Sequence, residues 1–154
     1  MVVFFAKHTA MQNDLRIISD LDYFRLMNRI SADIGDPEVD PCNLHRLYIL
    51  LNTSRRLKPE EVGDDLVTMN SSVVLRNVHT GNKKIIQIVY PGNKNTVTQT
   101  GEWKDEVTVY SPVALSVLGL KKQDIFYEWS GTQAEPVQIE QVLFQPESQK
   151  LFNL

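Results

Sequence analysis

The chain has 154 residues, a formal net charge of -3 and a single cysteine, Cys42. That length holds one ordinary domain with an appendage, a lone cysteine excludes an internal disulfide or a cysteine-rich zinc site, and no apolar run approaches the roughly 20 residues that cross a bilayer. The acidity belongs to the first half: residues 1–65 carry eight Lys/Arg against eleven Asp/Glu, while residues 66–154 carry eight of each, which argues against a second half that holds nucleic acid by phosphate neutralisation alone.

The chain opens on Met1-Val2-Val3-Phe4-Phe5-Ala6-Lys7. This stretch is apolar but short and lacks the basic region that precedes the core of a secretory signal, so it reads as a strand or packing segment. A lone cysteine and no signal fit a cytoplasmic chain. Next, Ile17, Leu21, Phe24, Met27 and Ile30 recur at three-and-four spacing. They predict an amphipathic helix over residues 13–34, capped by Asn13 or Asp14 and roughly 30 Å long.

Gly35-Asp36-Pro37 and Asp40-Pro41 break the helical pattern, since glycine favours a helix end and proline cannot continue an interior. Four acids gather at this break, Asp33, Asp36, Glu38 and Asp40, with no Lys or Arg between Ser31 and Leu44. Carboxylates suit Mg²⁺, which takes hard oxygen ligands, but Asp is equally at home in a solvated turn. Leu44, Leu47, Tyr48 and Leu51 then predict a second helix ending near Lys58-Pro59. The short connection implies antiparallel packing, so residues 1–59 read as an N-terminal helical hairpin, a short coiled coil. Arg46, Arg55, Arg56 and Lys58 lie on or just after that helix, as its solvated side or as contacts for an acidic rim or RNA phosphate.

Residues 60–65 form the linker, because the polar stretch Pro59-Glu60-Glu61-Val62-Gly63-Asp64-Asp65 separates two periodicities. Beyond it the period is two: Val73 and Leu75, Ile86 to Tyr90, Val107 and Val109, Ile125 to Trp129, and Val137 and Ile139. His79-Thr80-Gly81-Asn82 is a hairpin turn, and residues 91–105 form a long polar loop containing Trp103. The fold class is therefore α+β: a helical hairpin followed, over residues 66–154, by a small antiparallel sheet carrying one short helix.

The stretch Glu106-Val107-Thr108-Val109-Tyr110-Ser111-Pro112-Val113-Ala114-Leu115-Ser116-Val117-Leu118-Gly119 describes that helix in one line. A strand stops, Ser111 caps, Pro112 takes the first helical position and Gly119 ends the element. This strand, Ser-Pro helix and Leu-Gly exit resembles the C-terminal domain of the Gre transcription elongation factors and of the Rnk regulators. The resemblance extends to Val67-Thr68-Met69-Asn70-Ser71-Ser72-Val73-Val74-Leu75-Arg76-Asn77 upstream, and downstream to the charged turn at Leu120-Lys121-Lys122-Gln123-Asp124-Ile125 and a closing strand at residues 137–144. Gln123 stands where the family has a glycine.

The resemblance implies an FKBP-like domain that binds RNA polymerase at its secondary channel, with Ser111, Pro112, Lys121, Lys122 and Asp124 at or near the contact. Gre factors insert a long coiled coil whose acidic tip helps to hold a second Mg²⁺ for transcript cleavage. Here the helices are shorter, as in Rnk, so the expected role is to modulate elongation or compete with other channel-binding factors without cleavage. The family association with DNA binding reduces here to indirect contact with nucleic acid in the elongation complex. A monomer with no membrane partner, cofactor or resident metal is expected.

Enzyme motifs are absent: His8, His45 and His79 are scattered, and there is neither a phosphate-binding loop nor a nucleophile elbow. The rival class is a peptidyl-prolyl isomerase or chaperone, which would need Tyr90, Phe126, Tyr127 and Trp129 to converge on a proline pocket. Trp129 alternates with Ile125 and Tyr127 and is expected in the core, Trp103 at the surface. The apolar tail Leu151-Phe152-Asn153-Leu154 is free either to dock or to remain loose.

Overall fold

The computed structural model describes residues 16–92 and 105–152. The opening apolar segment, His8, the caps proposed at Asn13 and Asp14, Trp103 and the last two residues of the tail lie outside them. In chain order the elements are β1 (Ile17–Ser19), α1 (Asp20–Asp33), α2 (Pro41–Thr53), β2 (Arg55–Leu57), β3 (Ser72–Asn77), β4 (Lys83–Val89), β5 (Asp105–Thr108), α3 (Pro112–Val117), β6 (Ile125–Ser130) and β7 (Gln133–Phe144). The fold class is α+β.

The first helix is shorter than its periodicity predicts. Ser19 caps it, its side chain accepting the Asp22 N–H at 3.1 Å, and the chain before the cap is extended: Ile17 to Ser19 pair in parallel with Arg55 to Leu57. Ile17 is thus a strand residue, and Arg55 and Arg56 leave the second helix for β2. At 1.5 Å per residue, the 14 residues of α1 span about 21 Å, not the 30 Å read from the sequence. Near the helix ends, the Tyr23 hydroxyl approaches the Asn52 side-chain oxygen at 3.3 Å.

The five-stranded sheet has the order β5-β4-β3-β7-β6. Three of its pairings are antiparallel, but β4 and β5 run parallel, which corrects the expectation of an antiparallel sheet. Parallel neighbours need a crossover of a dozen or more residues, and the polar stretch after Val89 supplies that length. The β3–β7 register shifts at Ser72/Val73 and again at Val74/Leu75; such irregularities bend a strand and let a sheet curl.

One buried cluster unites the two halves. Ile18, Leu26, Ile30, Leu47 and Leu51 from the helical part join Val73, Leu75, Ile86, Ile88 and Ile139 of the sheet and Leu115, Val117 and Leu118 around α3. Leu26, Leu47 and Leu51 are almost fully buried, each contributing roughly 1.5–3 kcal/mol of transfer free energy.

The outer strand departs from its apparent pattern. Phe126 faces Val137 in the core, whereas Ile125, Tyr127 and Trp129 point outward, Trp129 being 72% exposed. The expectation that Trp129 packs in the core is corrected: register with β7, whose Val137 and Ile139 are buried, fixes which face of β6 turns inward.

Candidate functional site

The Ser-Pro helix is six residues long, too short to hold its conformation alone. Its start is made locally: Ser111 Oγ accepts the Ala114 N–H at 3.3 Å, with Pro112 in the first turn. Its end is held from 100 residues away. The Arg16 guanidinium donates to the carbonyls of Leu115 at 2.7 Å, Ser116 at 3.0 Å and Leu118 at 3.2 Å. A cation satisfying the last carbonyls is the favourable arrangement at a helix C-terminus. Burial, and then the neighbouring Arg46, lower the Arg16 pKa to about 10, which leaves it protonated at neutral pH.

The chain then passes Gly119 (φ +85°) and enters the charged turn. Asp124 accepts the Lys121 N–H at 2.8 Å, and the turn is fixed on both sides by Lys122 N–H to Asp65 C=O at 2.8 Å and Gln123 N–H to Ile139 C=O at 2.7 Å. Gln123 has φ +77°, so it adopts the left-handed conformation for which glycine is suited. Its side chain meets that of Gln138, whose Nε2 donates to Gln123 Oε1 at 3.0 Å. Pro112, Lys121, Lys122 and Asp124 are all exposed, and Ser111 is half-buried.

The four acids do not form a set. Asp33 is buried, its Oδ2 accepting from the Tyr110 hydroxyl at 2.7 Å and from Arg29 Nε at 2.8 Å. Burial works to raise its pKa, but the Tyr110 and Arg29 contacts outweigh it and hold the carboxyl below the usual range. Asp36 turns an oxygen back onto the Glu38 N–H at 2.9 Å, and Asp40 caps α2 through the Cys42 N–H at 2.8 Å. Glu38 is exposed. Among the described residues no group of three or more His, Cys, Asp or Glu is placed to hold a metal ion. Instead, Asp33 lies against the residue that precedes Ser111, so the acidic break and the Ser-Pro helix meet at one hydrogen bond. Nothing local in the sequence marks that pairing, because the partners are 77 positions apart.

A second buried carboxylate ties the other end of α1 to the segments that flank β3 and β4. Asp22 accepts the Met69 N–H at 3.0 Å and faces the Tyr90 hydroxyl at 3.5 Å. Burial, and then Glu147, raise its pKa to about 7, against the Met69 N–H, Arg25 and Tyr90, which lower it. Glu147, also raised by burial, accepts from the Thr68 hydroxyl at 2.7 Å.

The remaining candidates disperse. Arg56 bridges Asp20 at 2.8 Å and lies over the Tyr23 ring at 4.0 Å, which gives it a structural role. Tyr90 turns toward Asp22, Phe126 is buried, and Tyr127 and Trp129 are exposed on the other face of β6, so the four aromatic residues do not converge on a proline pocket.

This α+β architecture, with its Ser-Pro helix clamped by the N-terminal segment, is that of a Gre-factor-like regulator. The chain is similar to a solved prokaryotic transcription elongation factor GreA/GreB from Nitrosomonas europaea, with a TM-score of 0.63 and 25% identity over 84% of this chain and 98% of that one. It is 33% identical over 135 residues to the regulator of nucleoside diphosphate kinase of Escherichia coli K12, covering 86% of this chain and 91% of the relative, and equally similar to that of Shigella flexneri. No protein-family model matches. The chain belongs to the Rnk family, the regulators of nucleoside diphosphate kinase.

Proposed function

We propose that this protein is a transcription regulator that binds RNA polymerase at the secondary channel and modulates elongation or competes with other channel-binding factors, without supplying transcript-cleavage chemistry. The observation that carries the reading is the likeness to a solved elongation factor across nearly that factor's whole length. Contact is made through Ser111, Pro112, Lys121, Lys122 and Asp124 on an FKBP-like unit, while the helical part is directed inward. It acts as a cytoplasmic monomer and touches nucleic acid only indirectly.

Two features favour occupancy without cleavage. An α1 of about 21 Å stops short of where a longer rod reaches, and Asp33 is engaged by Tyr110 and Arg29. Carboxylates short of the metal cannot coordinate it, and their attraction is screened over roughly 8 Å at physiological salt. Asp36, Glu38 and Asp40 then tune occupancy by charge. A stalled elongation complex with a backtracked transcript tests this: the protein should leave the transcript uncut and slow cleavage by an added Gre factor. Strong cleavage, lost on Asp36→Asn, would make it a cleavage factor.

The relatives' name supports a second reading, in which the protein acts on a nucleoside diphosphate kinase. Phosphoryl transfer by a purified kinase, measured with and without the protein, decides that reading separately.

A further inference from the structure

We infer that Asp33 is a positioning residue for the docking helix: through its hydrogen bond to Tyr110 it sets the pose of Ser111 and Pro112, and it is not a tip carboxylate in service to a metal. This rests on the polymerase-docking role proposed for that helix.

The pose of α3 is set by its buried face, Ala114, Leu115 and Val117, and by polar restraints at each end. Six residues do not form a stable helix by themselves, and the Ser111 cap fixes only the first turn. Arg16 restrains the C-terminal carbonyls. At the other end the chain enters through Val109 and Tyr110, and the Tyr110 hydroxyl bond to Asp33, at 2.7 Å, is the side-chain tether there. Its acceptor is a carboxylate that also takes Arg29 Nε at 2.8 Å from one turn earlier on α1, so the tether is charge-assisted and directional. Asp33 is itself the last residue of α1. Any tilt of that helix is therefore delivered one residue before the Ser-Pro pair.

A tip carboxylate and a positioning carboxylate make opposite demands on Tyr110. If Asp33 acts by its own charge, removing the tyrosine hydroxyl leaves that charge in place and frees it. If Asp33 acts through Tyr110, loss of the hydroxyl is as harmful as loss of the acid. The test compares full-length wild type, Tyr110→Phe, Asp33→Asn and the double variant for affinity to core RNA polymerase, well below their unfolding temperatures. Amide exchange over residues 111–118 is followed in parallel. Ile86→Val, a core trim in β4, reports what lost stability does with residues 110–118 and Asp33 unchanged in sequence.

We expect Tyr110→Phe and Asp33→Asn each to weaken binding about tenfold, the scale of one charge-assisted hydrogen bond, and to speed exchange across residues 111–118. The double variant should lose no more than the worse single, and Ile86→Val should bind as wild type does. Wild-type affinity in Tyr110→Phe, or additive losses in the double variant, would overturn the inference. If the wild-type chain itself fails to bind polymerase, it is the docking role that falls.

Discussion

Gly119 and Ile17 touch along their backbones: the Ile17 N–H donates to the Gly119 carbonyl at 3.1 Å, and a Cβ built on Gly119 would stand 3.0 Å from the Ile17 carbonyl oxygen. Glycine is needed there twice over, for φ +85° and for the approach of β1. Gly119→Ala should therefore destabilise the chain by about 2–3 kcal/mol, combining left-handed strain with overpacking. A thermal midpoint within a degree of wild type would contradict this.

Asp22 gives stability a pH dependence whose sign is fixed by its environment. Its carboxyl is raised from 3.8 to about 7, burial being the first cause, so between those values the folded chain holds a proton that the unfolded chain releases. Stability from this group is complete below about pH 4 and is lost as pH rises to about 7, by at most ~4 kcal/mol. Glu147, raised in the same direction, adds to the slope. Asp33, lowered against its own burial by Tyr110 and Arg29, acts oppositely, its contribution being lost as the pH falls into the acid range. Asp22→Asn keeps an acceptor for the Met69 N–H and should flatten the decline between pH 4 and 7 in denaturant titrations. An unchanged slope would place the titrating group elsewhere.

Lys121 and Lys122 are exposed beside a turn whose backbone is fixed by Asp65, Ile139 and Asp124. Reversing both charges to Glu should weaken polymerase binding several-fold and leave the unfolding free energy within about 0.5 kcal/mol of wild type. Leu118→Ala, at a fully buried position, should instead cost about 2–5 kcal/mol of stability. Unchanged affinity in the double Lys variant would move the interface away from this turn.

Residues 66–154 are expected to fold as a fragment, since the sheet and α3 supply most of the buried cluster they share with the helices. The fragment should unfold at a lower temperature than the whole chain, having lost the Arg16, Asp22 and Asp33 contacts. Residues 1–59 alone should show weak helicity. Circular dichroism of both pieces checks this, and an unfolded fragment 66–154 would refute the boundary.

The parts of the fold legible in the sequence are those made by local chemistry. Ser111, Pro112 and Gly119 announce a capped, glycine-ended helix because each acts on its own backbone, and the β3–β4 turn follows from Asn77, whose side chain accepts from His79 and Thr80 N–H. What escaped depends on distant partners. The acidic spacing around residue 36 cannot show that Asp33 is withdrawn by a tyrosine 77 residues on. Alternation in β6 names two faces, but only pairing with β7 decides that Phe126 turns inward and Trp129 outward. The parallel entry of β5 likewise depends on a crossover whose direction no periodicity records.

The most direct measurement is co-elution of the purified full-length chain with core RNA polymerase, followed by titration with a Gre factor. A stoichiometric complex is expected, from which the Gre factor displaces the chain competitively. Failure to co-elute, or a complex that a saturating Gre factor leaves intact, would contradict binding at the secondary channel.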